Sequence, residues 1–292
     1  MAGILYPIGA AFFWALAVIL FRKSGDEMSP LSLNLFCCLV ALILFIPTLL
    51  ILQIPFFPEC PSSDWWILGL SGILGITLAD SFFFASLVRL GAGLSSIVNC
   101  LYLPTVILLS YLFLGEHLTA KGLTGGALIL IAIIISSIHG RDFNVGRKDF
   151  AIGIIQGVLA VLAIAIGVIV VKDVLDRSDI VWATTVRLFV ASLGMILMVI
   201  VHPQSRKLVN EMRFSKTWVW AIAASILGNY LGLVCWLAGM KYTLVSLAAI
   251  LNQLSVILIF ILAAIFLKEK ITISRSIAII LAIVGAIVTV YN

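Results

Sequence analysis

Charged side chains are scarce in this sequence. Asp, Glu, Lys and Arg make up 11% of its 292 residues, whereas 63% are hydrophobic, and the mean hydropathy is +1.25. A soluble domain usually carries about 25% charged residues, because water must be able to solvate its surface. This composition therefore excludes an ordinary soluble domain and predicts an all-α integral membrane protein.

Cysteine, histidine and phosphate-binding motifs are also few. The five cysteines show no spacing typical of a disulfide framework, and His117, His139 and His202 lie too far apart in the sequence to suggest a metal site. No glycine-rich Walker motif occurs, which argues against ATP hydrolysis. The sequence also offers no nucleophile with an acid/base pair at one depth in the membrane. We therefore expect no enzyme activity, no metal and no cofactor.

Apolar stretches of about the 20 residues that cross a bilayer as a helix occur ten times. They cover residues 4–21, 31–54, 65–88, 94–114, 122–138, 150–171, 180–201, 218–238, 244–267 and 273–291, and we number them spans 1 to 10. The segments between them are short, so function is expected to lie inside the helix bundle. The sequence predicts ten transmembrane helices.

Rare residue types recur at one spacing. The recurring pairs are Asn99 and Asn252, Glu116 and Glu269, Thr119 and Thr272, Trp65 and Trp218, and Gly75 and Gly228 (for example 252 − 99 = 153). A constant offset in scarce residues indicates an internal duplication. Because each half has an odd number of spans, the second half must enter the membrane from the opposite face. We expect two inverted five-helix repeats, at residues 1–138 and 150–292, joined by a linker at 139–149.

Lysine and arginine are distributed unevenly between the loops. Those that follow even-numbered spans are Lys121, Lys172, Arg177 and Lys241, and nearly all the others follow odd-numbered spans. Basic loops face the cytoplasm, so this bias predicts a multi-pass protein of the plasma (inner) membrane with both termini outside. The net charge of +5 is then an insertion signal, and no nucleic-acid partner is expected.

The end of span 4 carries the motif LGEHLT at residues 114–119, preceded by Pro104 and followed by Gly125 and Gly126. The second copy reads LKEKIT at residues 267–272 and has Ile257 in place of the proline. With Trp14 in span 1 and Arg187 early in span 7, the whole chain resembles EamA-type transporters of the drug/metabolite transporter superfamily.

The resemblance implies a carrier of small organic molecules with a central cavity between the two halves. It also implies termini in the cytoplasm, which is the reverse of what the loop charges predict. We expect a secondary transporter, an exporter or exchanger of metabolites such as amino acids, that works by alternating access with protons as a candidate coupling ion. A membrane scaffold or receptor-like protein is the alternative, and a membrane-embedded enzyme is a weaker one. The expected partners are a small-molecule substrate and the lipid bilayer, and both a monomer and a homodimer fit the sequence.

Two charged residues lie within spans, where a charge is costly and usually functional. Asp80, near the middle of span 3, is a candidate proton-coupling residue. Arg187 is a candidate for binding a substrate carboxylate or phosphate. The structural alternatives are an ion pair between the two residues, or an Arg187 side chain that extends to the membrane interface.

Neutral polar residues within the spans are further candidates for substrate binding. Asn99 and Asn252 occupy corresponding places in spans 4 and 9, and an amide offers both a donor and an acceptor without charge. The other candidates are Trp14, Tyr102, Gln156, Asn229, Tyr230 and Gln253. Hydrogen bonding or packing between helices is the alternative for each.

Glu116 and Glu269 follow the last apolar residue of spans 4 and 9. We expect both at the water interface in a structural role, with Thr119 and Thr272 capping the next helix.

Overall fold

The computed structural model describes residues 2–24, 28–99, 101–138, 147–213, 218–266 and 273–290, and every regular element in these ranges is helical. The helices are α1 (Ala2–Ser24), α2 (Pro30–Ile51), α3 (Ser62–Gly72), α4 (Ala79–Asn99), α5 (Tyr102–Leu114), α6 (Ala120–Ile138), α7 (Arg147–Arg177), α8 (Ile180–Val201), α9 (Ser205–Glu211), α10 (Trp218–Ala224), α11 (Leu233–Tyr242), α12 (Val245–Asn252), α13 (Leu254–Phe266) and α14 (Ile273–Val290). Two π-helical segments, π1 (Ile73–Leu78) and π2 (Ser225–Gly232), connect α3 to α4 and α10 to α11.

Six helical segments are long and apolar enough to cross a membrane. They are Gly3–Phe21, Leu31–Ile51, Ser62–Phe83, Lys148–Arg177, Ile180–Val201 and Trp218–Tyr242, which correspond to spans 1, 2, 3, 6, 7 and 8. Shorter apolar helices fall in the other four spans, at Tyr102–Leu114, Ala120–Ile135, Val245–Ile259 and Ser276–Val290. The chain is therefore a multi-pass helical membrane protein, and the count of ten crossings depends on these four shorter helices.

The boundary predicted between spans 3 and 4 is wrong. Helix α4 continues from Ala79 to Asn99 through the glycines at 91 and 93, where we expected a turn. A glycine costs a helix only about 1 kcal/mol, and α4 regains this by packing along α7. Gly153 and Gly157 of α7 permit that close approach, because a Cβ atom at either position would lie 2.6–2.7 Å from a side chain of α4.

Spans 4 and 9 are each interrupted rather than continuous. The first interruption follows Asn99 and the second follows Asn252, and short i→i+3 bonds occur at both, from Leu101 N to Val98 O (3.0 Å) and from Gln253 N to Ile250 O (3.2 Å). Neither interruption has a proline at the break. Residue patterns alone did not predict these breaks, because the apolar run continues through them.

The long helices of each half pack against the other half. Helix α1 contacts α10, π2, α11, α12 and α13, while α7 contacts α3, π1, α4 and α5. Helix α2 contacts α8 and π2, and α8 contacts α3 and π1. Corresponding elements lie 153 positions apart, and these contacts of α1 and α2 have counterparts in those of α7 and α8; α7 also contacts α11 of its own half. The two halves therefore share their interior instead of forming separate bundles.

Glu116 follows the end of α5 at Leu114 and has the structural role that we expected, although its side chain is buried in the protein. Its carboxylate accepts hydrogen bonds from the backbone N–H groups of Val245 (2.6 Å) and Ser246 (2.9 Å), and from the Ser246 hydroxyl. Free N–H groups and the helix dipole favour a negative charge at a helix N-terminus, and Leu244, which precedes α12, has no side-chain acceptor. The first half thus supplies the cap for a helix of the second half.

The threonine that follows Glu116 has the predicted role. Thr119 Oγ1 accepts a hydrogen bond from Gly122 N at 3.2 Å in the first turn of α6, so the predicted cap is confirmed. Glu269 and Thr272 lie outside the described residues.

A short helix, α9, occupies part of the segment between spans 7 and 8 that we expected to be a loop. Its last residue, Glu211, accepts hydrogen bonds at 2.9 Å from Ser29 N and from Ser32 Oγ at the start of α2. Partial burial raises the pKa of Glu211, but these hydrogen bonds and the nearby Lys207 outweigh that effect, and the pKa lies below its ordinary value. Glu211 thus holds α9 against the start of α2.

Candidate functional site

Asp80 is held in the bundle by a neutral partner. It lies in the first turn of α4, directly after π1, and its Oδ2 accepts a hydrogen bond from Asn34 Nδ2 of α2 at 3.2 Å. Among the described residues, no lysine or arginine forms an ion pair with it. The structure therefore does not contain the Asp80–Arg187 pair that we considered as the structural alternative.

The hydrogen bonds of Asp80 continue to the second half of the chain. Cys38 Sγ donates to Asn34 Oδ1 at 3.6 Å, and Asn229 Nδ2 donates to Cys38 Sγ at 3.5 Å. The chain from Asn229 through Cys38 and Asn34 to Asp80 therefore links π2 with the start of α4. The Oδ1 atom of Asn229 is buried and has no hydrogen-bond partner among the described residues.

This group brings together two predicted residues, Asp80 and Asn229, with two that we had not proposed for the site. Asn34 lies 153 positions before Arg187, and the thiol of Cys38 is fully buried, where a cysteine usually acts as a small apolar side chain. The spacing of four residues between them, which places both on one face of α2, was the signal that could have found them.

Tyr230 lies on π2 beside the same group and bonds to α2. Its hydroxyl lies 2.6 Å from Thr48 Oγ1, and its ring packs on Phe45 with centroids 4.7 Å apart. The Thr48 hydroxyl donates to Leu44 O at 2.8 Å, so the hydroxyl of Tyr230 is the donor to Thr48. This contact matches the packing alternative for Tyr230.

Arg187 lies apart from Asp80 and is fully buried. Its exposure is 0%, and none of its three guanidinium nitrogens has a hydrogen-bond partner within the described part of the chain. The side chain therefore does not extend to the membrane interface, which excludes the second structural alternative for this residue. Its Cζ atom lies 5.8 Å from the ring centroid of Trp236 on α11.

Tyr102 and two glycines complete the surroundings of Arg187. Tyr102, at the start of α5, is buried and belongs to a core cluster against which Trp236 packs, and its hydroxyl has no hydrogen-bond partner among the described residues. A Cβ atom on Gly75 would lie 3.3 Å from Nη2, and one on Gly72 would lie 2.3 Å from the carbonyl oxygen of Arg187. Gly72 thus permits the close packing of α3 on α8, and Gly75 leaves room for the guanidinium group.

Two other predicted residues, Gln156 and Trp14, have contacts with neither Asp80 nor Arg187 among those described above. Gln156 accepts a hydrogen bond from Arg89 Nη1 at 3.0 Å, and Arg89 Nε lies 3.9 Å from Asp149 Oδ1, so Gln156 belongs to a polar contact between α4 and α7. Trp14 is 42% exposed and packs beside Gly228 of π2.

Three predicted residues lie at the helix interruptions. Asn99 and Asn252 are the last residues of α4 and α12 and are partly buried. Gln253, directly after α12, is 5% exposed. The described residues contain no group of three or more His, Cys, Asp or Glu side chains that could hold a metal ion.

The arrangement gives the bundle two polar groups of different chemistry. Asp80, Asn34, Cys38 and Asn229 offer a carboxyl group with neutral partners, and Arg187 with Tyr102 and Trp236 offers a cation in an aromatic setting. The first group can accept a proton or a cationic group, and the second can accept an anion. Surface grooves near Val199 and Val209 contain none of these residues.

Comparisons with known proteins agree with this description. The EamA-like transporter family matches residues 1–138 and again residues 151–291. The chain is 26% identical over 276 residues to an uncharacterized transporter of Archaeoglobus fulgidus, and the match covers 93% of this chain and 92% of that protein. One solved crystal structure superposes on 99% of this chain and 96% of its own with a TM-score of 0.85 at 17% identity, which shows a shared fold. The chain belongs to the EamA-like transporter family, within the drug/metabolite transporter superfamily, and is a multi-pass membrane transporter.

Proposed function

We propose that this chain is a secondary transporter that exports or exchanges small organic metabolites, such as amino acids, with protonation of Asp80 as the coupling step. The observation that carries the proposal is the partner of Asp80, which is the neutral amide of Asn34 at 3.2 Å and not a cation. A carboxylate inside a membrane bundle costs several kcal/mol unless it is paired or protonated. An amide partner leaves both protonation states accessible, whereas an arginine partner would hold the carboxylate ionised.

Alternating access follows from the proposed architecture of ten transmembrane helices in two inverted five-helix repeats. The mirrored contacts of α1 and α7 support this architecture, because each lies against the opposite half of the chain. The π-helical segments π1 and π2 lie at corresponding positions beside Asp80 and Asn229. Since π-helical turns inside α-helices are frequent at functional sites, we place the moving parts of the transport cycle at these two segments.

The proposed location is the plasma membrane, with both termini outside as the loop charges indicate. Resemblance to the family favours the opposite orientation. The two arguments therefore predict opposite results when the same loops are labelled from outside the cell. After replacement of the native cysteines, Gln53→Cys and Lys207→Cys are to be labelled with an impermeant reagent in intact cells. Labelling at 53 alone supports our orientation, and labelling at 207 alone refutes it.

The function is tested by reconstitution into sealed vesicles. Isotope-labelled amino acids, supplied as a mixture and followed by mass spectrometry, are expected to cross the membrane unchanged, and an imposed pH gradient should drive their accumulation. Asp80→Asn should reduce gradient-driven flux by roughly tenfold or more while solute exchange persists. Asp149→Asn, which removes a carboxyl group from an exposed position, serves as the matched control.

The other outcomes separate the alternatives. Equal gradient-driven flux in the wild type and Asp80→Asn refutes proton coupling through this residue. A chemically altered solute indicates an enzyme, and absence of flux for every amino acid counts against this substrate class and favours the scaffold alternative.

A further inference from the structure

Arg187 has a charge that the described protein does not balance. Its side chain is fully buried, and Nε, Nη1 and Nη2 all lack hydrogen-bond partners among the described residues. Buried polar groups are almost always paired in proteins, and an unpaired buried charge is among the most costly features a fold can contain. An arginine in this state indicates that its partner is a ligand that binds and dissociates.

The surroundings of the guanidinium combine elements from both halves. Arg187 belongs to α8, Trp236 to α11, Tyr102 to α5 and Gly75 to π1. The Trp236 ring, 5.8 Å from Cζ, stabilises a cation without neutralising it. Tyr102 lies in the core cluster against which Trp236 packs, and its buried hydroxyl also lacks a hydrogen-bond partner among the described residues, so it can donate to an anion bound there.

The charge and shape of the site select among anions. The cation that the structure places here is one guanidinium, which neutralises one negative charge. A phosphate ester carries between one and two negative charges and usually recruits several donors. A carboxylate carries one charge and matches the two parallel N–H groups of arginine.

We propose that Arg187 is the anion subsite of the transported solute and binds its carboxylate. The Tyr102 hydroxyl adds a hydrogen bond to the same group, and Trp236 packs against the cation. The substrates are therefore small organic monocarboxylates, which include amino acids and exclude amines that lack a carboxylate. This inference rests on the proposed transport function and deepens it.

The test measures binding without transport. Purified protein in detergent is heated with matched pairs in which an uncharged carboxamide replaces the carboxylate, namely benzoate with benzamide and L-phenylalanine with L-phenylalaninamide (which keeps its amine), and with inorganic phosphate. We expect at least one carboxylate to raise the Tm in a concentration-dependent manner, and its amide to need at least about a tenfold higher concentration, which is a difference of about 1.4 kcal/mol. Ligands that bind only the folded state stabilise it in this way.

Variants then assign the effect to Arg187. Arg187→Gln should abolish the shift, whereas Arg206→Gln, which removes an arginine from an exposed position on α9, should retain it. If Arg187→Gln does not fold, Tyr102→Phe decides, because it removes one hydroxyl and should weaken carboxylate binding about threefold to tenfold.

Several results would overturn the proposal. The first is an equal Tm shift by a carboxylate and its amide, and the second is a Tm shift with phosphate alone. The others are no Tm shift with any compound tested, and a Tm shift in Arg187→Gln (or, if that variant does not fold, in Tyr102→Phe) equal to that of the wild type. Carboxylate binding without flux in vesicles would refute the transport function and leave this subsite intact. Normal carboxylate flux in Arg187→Gln would refute the subsite and leave the transport function intact.

Discussion

Asn34 in the first half and Arg187 in the second occupy corresponding positions, 153 residues apart (187 − 34 = 153) on α2 and α8. Asn34 is neutral and bonds to Asp80. Arg187 is charged and has no hydrogen-bond partner in the described part of the chain. Corresponding positions in the two halves therefore hold one member of a hydrogen-bonded polar group and one cation without a hydrogen-bond partner among the described residues.

Residues that are identical at positions 153 apart have another kind of place in the structure. Gly75 and Gly228 both lie in a π-helical segment at an interface between helices, and Asn99 and Asn252 both end a helix before an interruption. These repeated residues lie at helix breaks and packing contacts, whereas Asn34 and Arg187, which differ, lie in the two polar groups of the candidate site. The difference between the halves is thus a better guide to the candidate site than their similarity.

The largest predicted effect concerns the carboxylate that joins the halves. Glu116→Ala should lower the free energy of unfolding by about 3 kcal/mol, because it removes an ionised acceptor from Val245 and Ser246. Unfolding in detergent measures this cost, and Glu59→Ala, at an exposed position, is the control. A loss below about 0.5 kcal/mol, the range of an ordinary surface change, would contradict the capping role. Glu269→Ala then tests whether both halves depend equally on this glutamate.

The second prediction compares the corresponding glycines. A Cβ atom at Gly228 would lie 2.9 Å from Ala17 Cβ, whereas at Gly75 it would meet the end of the flexible Arg187 side chain at 3.3 Å. Gly228→Ala should cost about 2 kcal/mol through overpacking, and Gly75→Ala under about 1 kcal/mol. Thermal unfolding of both variants checks this, and equal losses would show that the halves pack alike at π1 and π2.

The third prediction concerns two corresponding positions, where substitutions should change the free energy of unfolding in opposite directions. Asn34→Leu should destabilise the protein by about 1–2 kcal/mol, because Asp80 loses its hydrogen bond. Arg187→Met should stabilise the ligand-free protein by about 1 kcal/mol, because an apolar side chain of similar length replaces an unpaired buried charge. Unfolding of both variants without added solute is the measurement. Destabilisation by Arg187→Met would mean that the charge supports the fold, and our account of the second half would be wrong.

The smallest predicted effect lies outside the bundle, where pH acts on the α2–α9 contact. Since the pKa of Glu211 is lowered from its ordinary value of 4.5, its contribution to stability is present above that pH and is lost as the pH falls through the folded-state pKa. The carboxylate is partly exposed, so the loss should stay under about 1 kcal/mol. Unfolding of the wild type and Glu211→Gln at pH 7 and pH 4 measures it. The difference in the free energy of unfolding between the wild type and Glu211→Gln should be smaller at pH 4 than at pH 7. A larger difference at pH 4 would contradict the stabilising role of the Glu211 carboxylate.

Much of the fold could be predicted because membrane insertion depends on local composition. A run of apolar residues crosses a bilayer wherever it occurs, and all six long membrane-spanning segments fall in predicted spans. The break within span 9 and the continuous helix α4 could not be predicted this way. Neither Gln253 nor the glycines at 91 and 93 dictate a helix boundary, and packing against α7 decides the second case.

The charged residues of the candidate site were predictable, but their partners were not. Asp80 and Arg187 stood out as charges inside apolar runs, and an ion pair between them was the structural alternative that we considered. In the structure, Asp80 instead accepts a hydrogen bond from Asn34, and Arg187 lies beside Trp236, which packs against the cluster that contains Tyr102. Charge complementarity in a sequence says nothing about which helix faces which.

The sequence by itself determined that this protein is a helical membrane protein, because hydropathy is a property of the chain alone, and its constant offset of 153 positions predicts an internal duplication. Only the tertiary structure decided the bonding partners, since these lie far apart along the chain. Asp80 and Asn34 are 46 positions apart, and Glu116 and Val245 are 129 positions apart. A hydrogen bond acts over about 3 Å, so the packing of helices, and not the order of residues, selects the pairs that form.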